Sequence, residues 1–132
     1  MTLTTIILMV LTLYMLQIFL QETSRFGFDV QGIVGNRDNP PELTVMAGRL
    51  DRAKNNMQEA LPMFLGLALL ALATDRDTSA VTDAALGFLI ARVAYVPAYM
   101  SGIPVLRSVI WLVGVASLVI MALSLIQVRA GT

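Results

Sequence analysis

Four long apolar stretches restrict what this chain can fold into. They run from about Thr2 to Leu20, Ala60 to Ala73, Ala80 to Tyr99 and Val105 to Val128. A membrane-spanning helix needs about 20 predominantly apolar residues, and the first, third and fourth stretches provide them. Of 132 residues, 57% are hydrophobic and 14% are charged, which is more apolar surface than a small soluble domain can bury. We therefore predict an all-α membrane protein, a four-transmembrane-helix bundle in a single domain over residues 1–132.

The second apolar stretch reaches spanning length only if its helix starts earlier, in a polar region. Asn39, two prolines and Glu42 form a helix-start pattern. A helix from Pro41 to Ala73 would be about 50 Å long, against a hydrocarbon layer of about 30 Å. We therefore expect this helix to project from the membrane or to tilt strongly. The predicted helices cover about residues 2–21, 41–73, 79–99 and 105–128.

The placement of Lys and Arg predicts how the chain is oriented. Cytoplasmic segments of membrane proteins carry an excess of these residues. The segment between the first two apolar stretches carries five of these residues, whereas the other side of the membrane would hold only Arg76 and Arg129. We therefore expect a multi-pass protein, in the inner membrane if the source is bacterial, with both termini facing away from the cytoplasm. The basic residues assigned to the cytoplasmic side are Arg25, Arg37, Arg49, Arg52 and Lys54.

The residue types that are missing exclude several kinds of chemistry. The chain has no cysteine and no histidine. Disulfides, protein thiolates, histidine acid–base catalysis and zinc ligation through sulfur or imidazole are therefore excluded. Its carboxylates show no metal-ligand spacing, and we predict no metal site. Nine basic and nine acidic residues give zero net charge, so nothing in the overall charge indicates a nucleic-acid partner.

Polar residues at helical spacing mark one face of each of the last three helices. On the second helix the polar side chains fall within a sector of about 80°. Ionisable groups at membrane depth are costly and usually face the bundle interior or a watery cavity. We therefore predict that these stripes converge at the cytoplasmic end of the bundle. The converging residues are Arg49, Arg52, Asn56, Glu59, Arg92, Tyr95, Tyr99, Arg107 and Ser108.

Four arginines and one carboxylate, Glu59, make this predicted site electropositive. Guanidinium groups pair well with carboxylates and phosphates, so an anionic ligand is expected. The alternative is an ordinary ion pair between helices, in which Arg52 or Arg92 satisfies Glu59. The two tyrosines of the third helix could instead belong to an interfacial aromatic belt, an interpretation that also suits Trp111.

The segment from Arg49 to Phe64 resembles the signature of the MAPEG family, the membrane-associated proteins in eicosanoid and glutathione metabolism. Residues 91–99, and then Arg107 with Ser108, are similar to the third and fourth helices of that family. The resemblance, to a bacterial-type member, extends over essentially the whole chain. The signature residues are Arg52, Ala53, Asn56, Glu59, Pro62 and Phe64.

The resemblance implies a homotrimer in a lipid bilayer, with glutathione as cosubstrate bound between neighbouring subunits near the cytoplasmic side. It also implies a glutathione-dependent transferase or peroxidase that acts on lipophilic electrophiles. By position, Arg107 would stabilise the glutathione thiolate, with Ser108 beside it. The residues implied to hold or line the glutathione site are Arg49, Arg52, Asn56, Glu59, Arg92, Tyr95 and Tyr99.

Two functions of other classes stay open at this stage. One is a non-catalytic membrane protein on the same scaffold, which would bind another thiol or an anionic lipid. The other is a small-solute carrier, because arginines in membranes can mark transport paths. Transporters usually contain inverted repeats and broken helices, and the sequence shows neither.

Overall fold

Four α-helices make up the part of the protein that the computed structural model describes, residues 1–25 and 45–130. No strand occurs among these residues. All four helices are long and apolar enough to cross a membrane, which confirms the predicted all-α class and the four helices of spanning length. The helices are α1 (Leu3–Arg25), α2 (Val45–Ala73), α3 (Ser79–Ser101) and α4 (Pro104–Ala130).

The helices continue further into polar sequence than the apolar stretches alone predict. α1 runs past the predicted end at residue 21 to Arg25, because no proline or glycine interrupts these residues. α2 has 29 residues and is about 44 Å long, at a rise of roughly 1.5 Å per residue. It therefore exceeds the thickness of the hydrocarbon layer, about 30 Å. The predicted helix start at Pro41 lies outside the described residues.

The turn between α2 and α3 is stabilised by its own residues. Asp75 adopts a positive φ of 55°, and the backbone N–H of Arg76 donates to the carbonyl of Ala71 at 2.7 Å. Thr78 caps the start of α3, since its hydroxyl accepts a hydrogen bond from the N–H of Val81 at 3.4 Å. Such a cap satisfies one of the amides that a helix start leaves unpaired.

The turn between α3 and α4 is shorter and lies at the opposite end of the bundle. Gly102 ends α3 with φ 74°, and its N–H donates to the carbonyl of Tyr99 at 3.2 Å. Pro104 opens α4, a position where its missing N–H costs nothing. Only two residues, Gly102 and Ile103, separate the helices, so the end of α3 and the start of α4 lie side by side.

All four helices contribute to the apolar core, and α4 packs mainly along α3 and adds Leu118, Met121 and Leu125 to it. The rings of Phe64 and Phe88 stack at its centre, with centroids 4.6 Å apart. Many large apolar side chains, among them Leu70, Ile90 and Leu123, stay exposed on the surface of the single chain. An apolar surface of this kind suits lipid or another membrane helix, and the polar side chains gather at one end of α2.

Candidate functional site

A cavity of about 370 Å³ opens where the polar half of α2 meets the end of α3 and the start of α4. α2 contributes its side chains from successive turns of one face, because residues three and four apart lie above one another on a helix. The short α3–α4 turn brings two further helix ends to the same place. The lining residues are Arg52, Asn55, Asn56, Glu59, Tyr95, Tyr99, Arg107, Ser108 and Trp111.

Tyr99 lies between two cations in this cavity. The guanidinium carbon of Arg107 is 4.8 Å from the centre of the Tyr99 ring, and that of Arg52 is 5.7 Å from it. The ring of Tyr95 meets that of Tyr99 edge-on, with centroids 5.6 Å apart. Cation–π contacts at these distances are attractive, so the Tyr99 ring holds the two arginines in place without neutralising them.

Arg92 lies beneath the cavity and not in its wall. Its side chain is 3% exposed, and its Nη1 donates to Oδ1 of Asn56 at 2.7 Å. The guanidinium also lies 4.4 Å from the centre of the Tyr95 ring. Its Nε and Nη2 find no hydrogen-bond partner among the described residues. Arg92 thus holds Asn56 and Tyr95, which do line the cavity, and adds a buried positive charge behind them.

Arg49 contacts the end of α3, whereas the sequence predicts that it joins the other polar residues of the site. It lies on α2 one turn before Arg52, but its Nη1 donates to the backbone carbonyl of Met100 at 2.8 Å. The side chain therefore caps the end of α3 and does not line the cavity. Of the nine polar residues expected to converge, Arg49 is thus held at the end of α3, and Arg92 lies behind Asn56 and lines a smaller chamber next to the cavity.

The ion-pair alternative does not describe the structure. Within residues 1–25 and 45–130, none of the four arginines of the predicted site forms an ion pair with Glu59, and the ion pair seen on α2 joins Lys54 to Asp51 at 3.4 Å. The cavity wall itself carries two cations, Arg52 and Arg107, against the carboxylate of Glu59. Its charge is therefore positive and available to an anion.

Seven of the nine predicted residues line the cavity, and two of its residues were not predicted. Asn55 is next to Asn56 on α2, and Trp111 follows Arg107 by one helical turn. The spacing of Trp111 from Arg107 places both on one face of α4, although Trp111 is interpreted from the sequence as a packing or belt residue. Asn55 lies outside the polar sector of α2, and spacing gave no sign of it.

The polar cavity continues into apolar space between α2 and α4. A smaller chamber of about 110 Å³ shares Asn56, Glu59 and Trp111 with it. That chamber in turn shares Met63 and Leu118 with an apolar groove of about 480 Å³. The polar cavity and the apolar groove are thus linked through this chamber along the same pair of helices.

The described residues contain no group of three or more His, Cys, Asp or Glu side chains that could hold a metal ion.

Comparison with curated proteins and with solved structures finds no match. A sequence model of the MAPEG family, in contrast, matches residues 1–127 of the 132. The match includes every residue of the cavity, and the chain belongs to the MAPEG family.

Proposed function

We propose that this protein is a membrane-bound, glutathione-dependent transferase or peroxidase acting on lipophilic electrophiles. One observation carries the proposal: a positive cavity, whose arginines have no carboxylate partner among the described residues, is joined to an apolar groove through a smaller chamber. The positive cavity suits an anionic, water-soluble thiol, and the groove suits a substrate that arrives from lipid. Family membership supports the same assignment, because the family includes glutathione transferases and peroxidases.

Glutathione fits the cavity in charge and in size. The tripeptide carries two carboxylates and one ammonium group at neutral pH. Arg52 and Asn56 supply donors for a carboxylate, and Glu59 supplies an acceptor for the ammonium group. The cavity volume of about 370 Å³ lies within the range of roughly 300–1,000 Å³ usual for small-molecule sites. Tyr95 and Tyr99 would flank the bound peptide.

Arg107 and Ser108 are the residues proposed to act on the thiol. Both line the cavity at the start of α4, so a thiol held there lies beside a fixed positive charge and a hydroxyl donor. A neighbouring cation favours the thiolate, which is the nucleophilic form. In conjugation, the sulfur forms a bond to the electrophilic carbon, the leaving group departs with its electron pair, and the thiol proton passes to solvent. In peroxide reduction, two thiols become one disulfide while the peroxide yields an alcohol and water.

We further propose a homotrimer in which glutathione lies between neighbouring subunits at the cytoplasmic side. The cavity is open on the surface of the single chain, and Arg52, Asn55 and Glu59 are exposed there. A second subunit would close that side. Native mass spectrometry in detergent should then give three times the chain mass of 14.3 kDa.

Glutathione binding and turnover test the function directly. Calorimetry on the purified protein should detect binding at millimolar glutathione, and the protein should conjugate glutathione to chlorodinitrobenzene. Arg52→Ala should weaken glutathione binding about tenfold, the effect of losing a charged hydrogen bond. Arg107→Ala should lower the conjugation rate by about a hundredfold, the usual effect of removing a group that stabilises charge in the transition state.

Arg76→Ala is the matched control for both substitutions. It removes the same side chain from the α2–α3 turn, at the end of the bundle away from the cavity. Binding and rate should both stay at wild-type values in this variant. A protein that binds no glutathione at millimolar concentration, or that loses the same activity with Arg76→Ala, contradicts the proposal.

An anionic lipid is the second candidate ligand, and the connection from the cavity to the apolar groove favours it. A lipid headgroup would meet Arg52 and Arg107 while an acyl chain followed the apolar groove. The protein would then bind without turnover. Native mass spectrometry should show a co-purified lipid that Arg107→Ala releases. Wild-type conjugation that disappears in Arg107→Ala decides against this candidate.

A further inference from the structure

We propose that Arg49 is a positioning residue that ties α2 to the end of α3 and thereby sets the width of the cavity. Its guanidinium holds the backbone next to Tyr99 without lining the cavity itself. The consequence for glutathione rests on the function proposed above. The structural part of the inference does not, since it concerns only how the α3–α4 turn is held.

The contact between Arg49 and α3 satisfies a group that a helix end leaves unpaired. The last carbonyls of a helix have no partner within the helix, and the helix dipole places partial negative charge there. Nη1 of Arg49 donates to one of them, the carbonyl of Met100, at 2.8 Å. The hydroxyl of Ser101 donates to another, that of Ala98, at 2.6 Å. Arg49 is the partner that comes from a different helix.

Gly102 leaves the space in which this guanidinium lies. A Cβ atom on Gly102 would come within 2.7 Å of Nη2 and 2.9 Å of Cζ of Arg49. The residue also has φ 74°, which favours glycine. Two independent requirements therefore select glycine here: the left-handed backbone and the close approach of an arginine from α2.

The same stretch of α2 contacts both the backbone at the end of α3 and the ring of Tyr99. Arg49 holds the carbonyl of Met100, and Arg52, one turn later, contacts the ring of Tyr99. Tyr99 in turn contacts Arg107, which lies in the first turn of α4. Loss of the Arg49 contact would free the α3–α4 turn and shift Tyr99 and Arg107 relative to Arg52.

The experiment compares Arg49→Met with Arg49→Lys, which keeps a positive donor on a long side chain. Hydrogen exchange of the backbone amides from Gly102 to Arg107 is measured on the full-length protein in detergent, together with glutathione affinity. Arg52→Met and Arg76→Met are the controls, because neither touches the backbone of this turn.

Arg49→Met should speed exchange at the turn and weaken glutathione binding, each about tenfold, as expected for a lost charged hydrogen bond. Arg49→Lys should stay within about threefold of the wild type in both. Arg52→Met should weaken binding without speeding exchange, and Arg76→Met should change neither.

Two results would overturn the proposal. In one, exchange at the turn in Arg49→Met equals that of the wild type. In the other, Arg49→Met speeds exchange while glutathione affinity stays at the wild-type value, so the contact would hold the turn without setting the cavity. A wild-type protein that binds no glutathione counts against the proposed function, and the exchange rates still decide the role of Arg49.

Discussion

The two turns between helices that the structure describes differ in how they are supported. Asp75 follows the end of α2 and Gly102 follows the end of α3, and both have positive φ. The first turn is stabilised by contacts within a few residues of itself, such as the cap by Thr78. The second has local contacts too, such as that from Ser101 to the carbonyl of Ala98, but it adds Arg49 from another helix, which leaves no space for a Cβ on Gly102. Next to the cavity, a contact between helices therefore supplements the local ones.

The largest expected effect is the loss of a contact between helices at the cavity end. Asn56→Leu removes the one hydrogen-bond partner of Arg92 among the described residues and leaves a buried charge without a hydrogen bond. The free energy of unfolding should fall by about 3 kcal/mol, as measured by thermal or denaturant unfolding in detergent. Adding Arg92→Met should recover most of the loss, because the buried charge is then gone. A double variant no more stable than Asn56→Leu would contradict this explanation.

Placing alanine in both turns sharpens the comparison most directly. Gly102→Ala should lower the free energy of unfolding by about 2 kcal/mol, from left-handed strain and from displacement of Arg49. Asp75→Ala should cost less than about 1 kcal/mol, because position 75 already carries a side chain. In an Arg49→Met background, the cost of Gly102→Ala should drop to about 1 kcal/mol, the strain alone. Equal costs in the two backgrounds would show that the guanidinium does not compete for this space.

The smallest expected effect belongs to the local cap. Thr78→Ala should cost about 0.5–1 kcal/mol of stability, since the hydrogen bond to Val81 is long at 3.4 Å. Glutathione affinity should be unchanged, because the cap lies at the end of the bundle away from the cavity. Calorimetric binding and thermal unfolding of the same preparation check both statements. A weaker glutathione affinity in this variant would contradict the conclusion that the cap at Thr78 does not influence the cavity.

Much of the fold and most of the candidate site could be predicted from periodicity. Apolar length gives the spanning helices, and three- and four-residue spacing gives the polar faces. These features are local, and they identified Arg52, Asn56 and Glu59 on one side of the cavity and Arg107 on the other.

Periodicity could not predict which neighbouring helix each polar side chain contacts, or how deeply the side chain lies in the bundle. Arg49 and Arg52 lie in one sector of α2, yet one caps α3 and the other lines the cavity. That difference depends on how α2 crosses α3, which side-chain packing sets. Arg92 was placed on the correct face for the same reason, but its depth beneath Asn56 is a property of the assembled bundle.

The length of α2 has a consequence for where the proposed reaction would take place. One half of this helix is apolar, and the other half carries its polar side chains. The cavity lies on the polar half and the groove on the apolar half, with the smaller chamber between them. In the proposed reaction, glutathione would reach the cavity from water, and the lipophilic electrophile would reach the groove from the bilayer. The turnover rate would then follow the concentration of the electrophile dissolved in the bilayer, and so its partition coefficient, more closely than its concentration in the assay buffer.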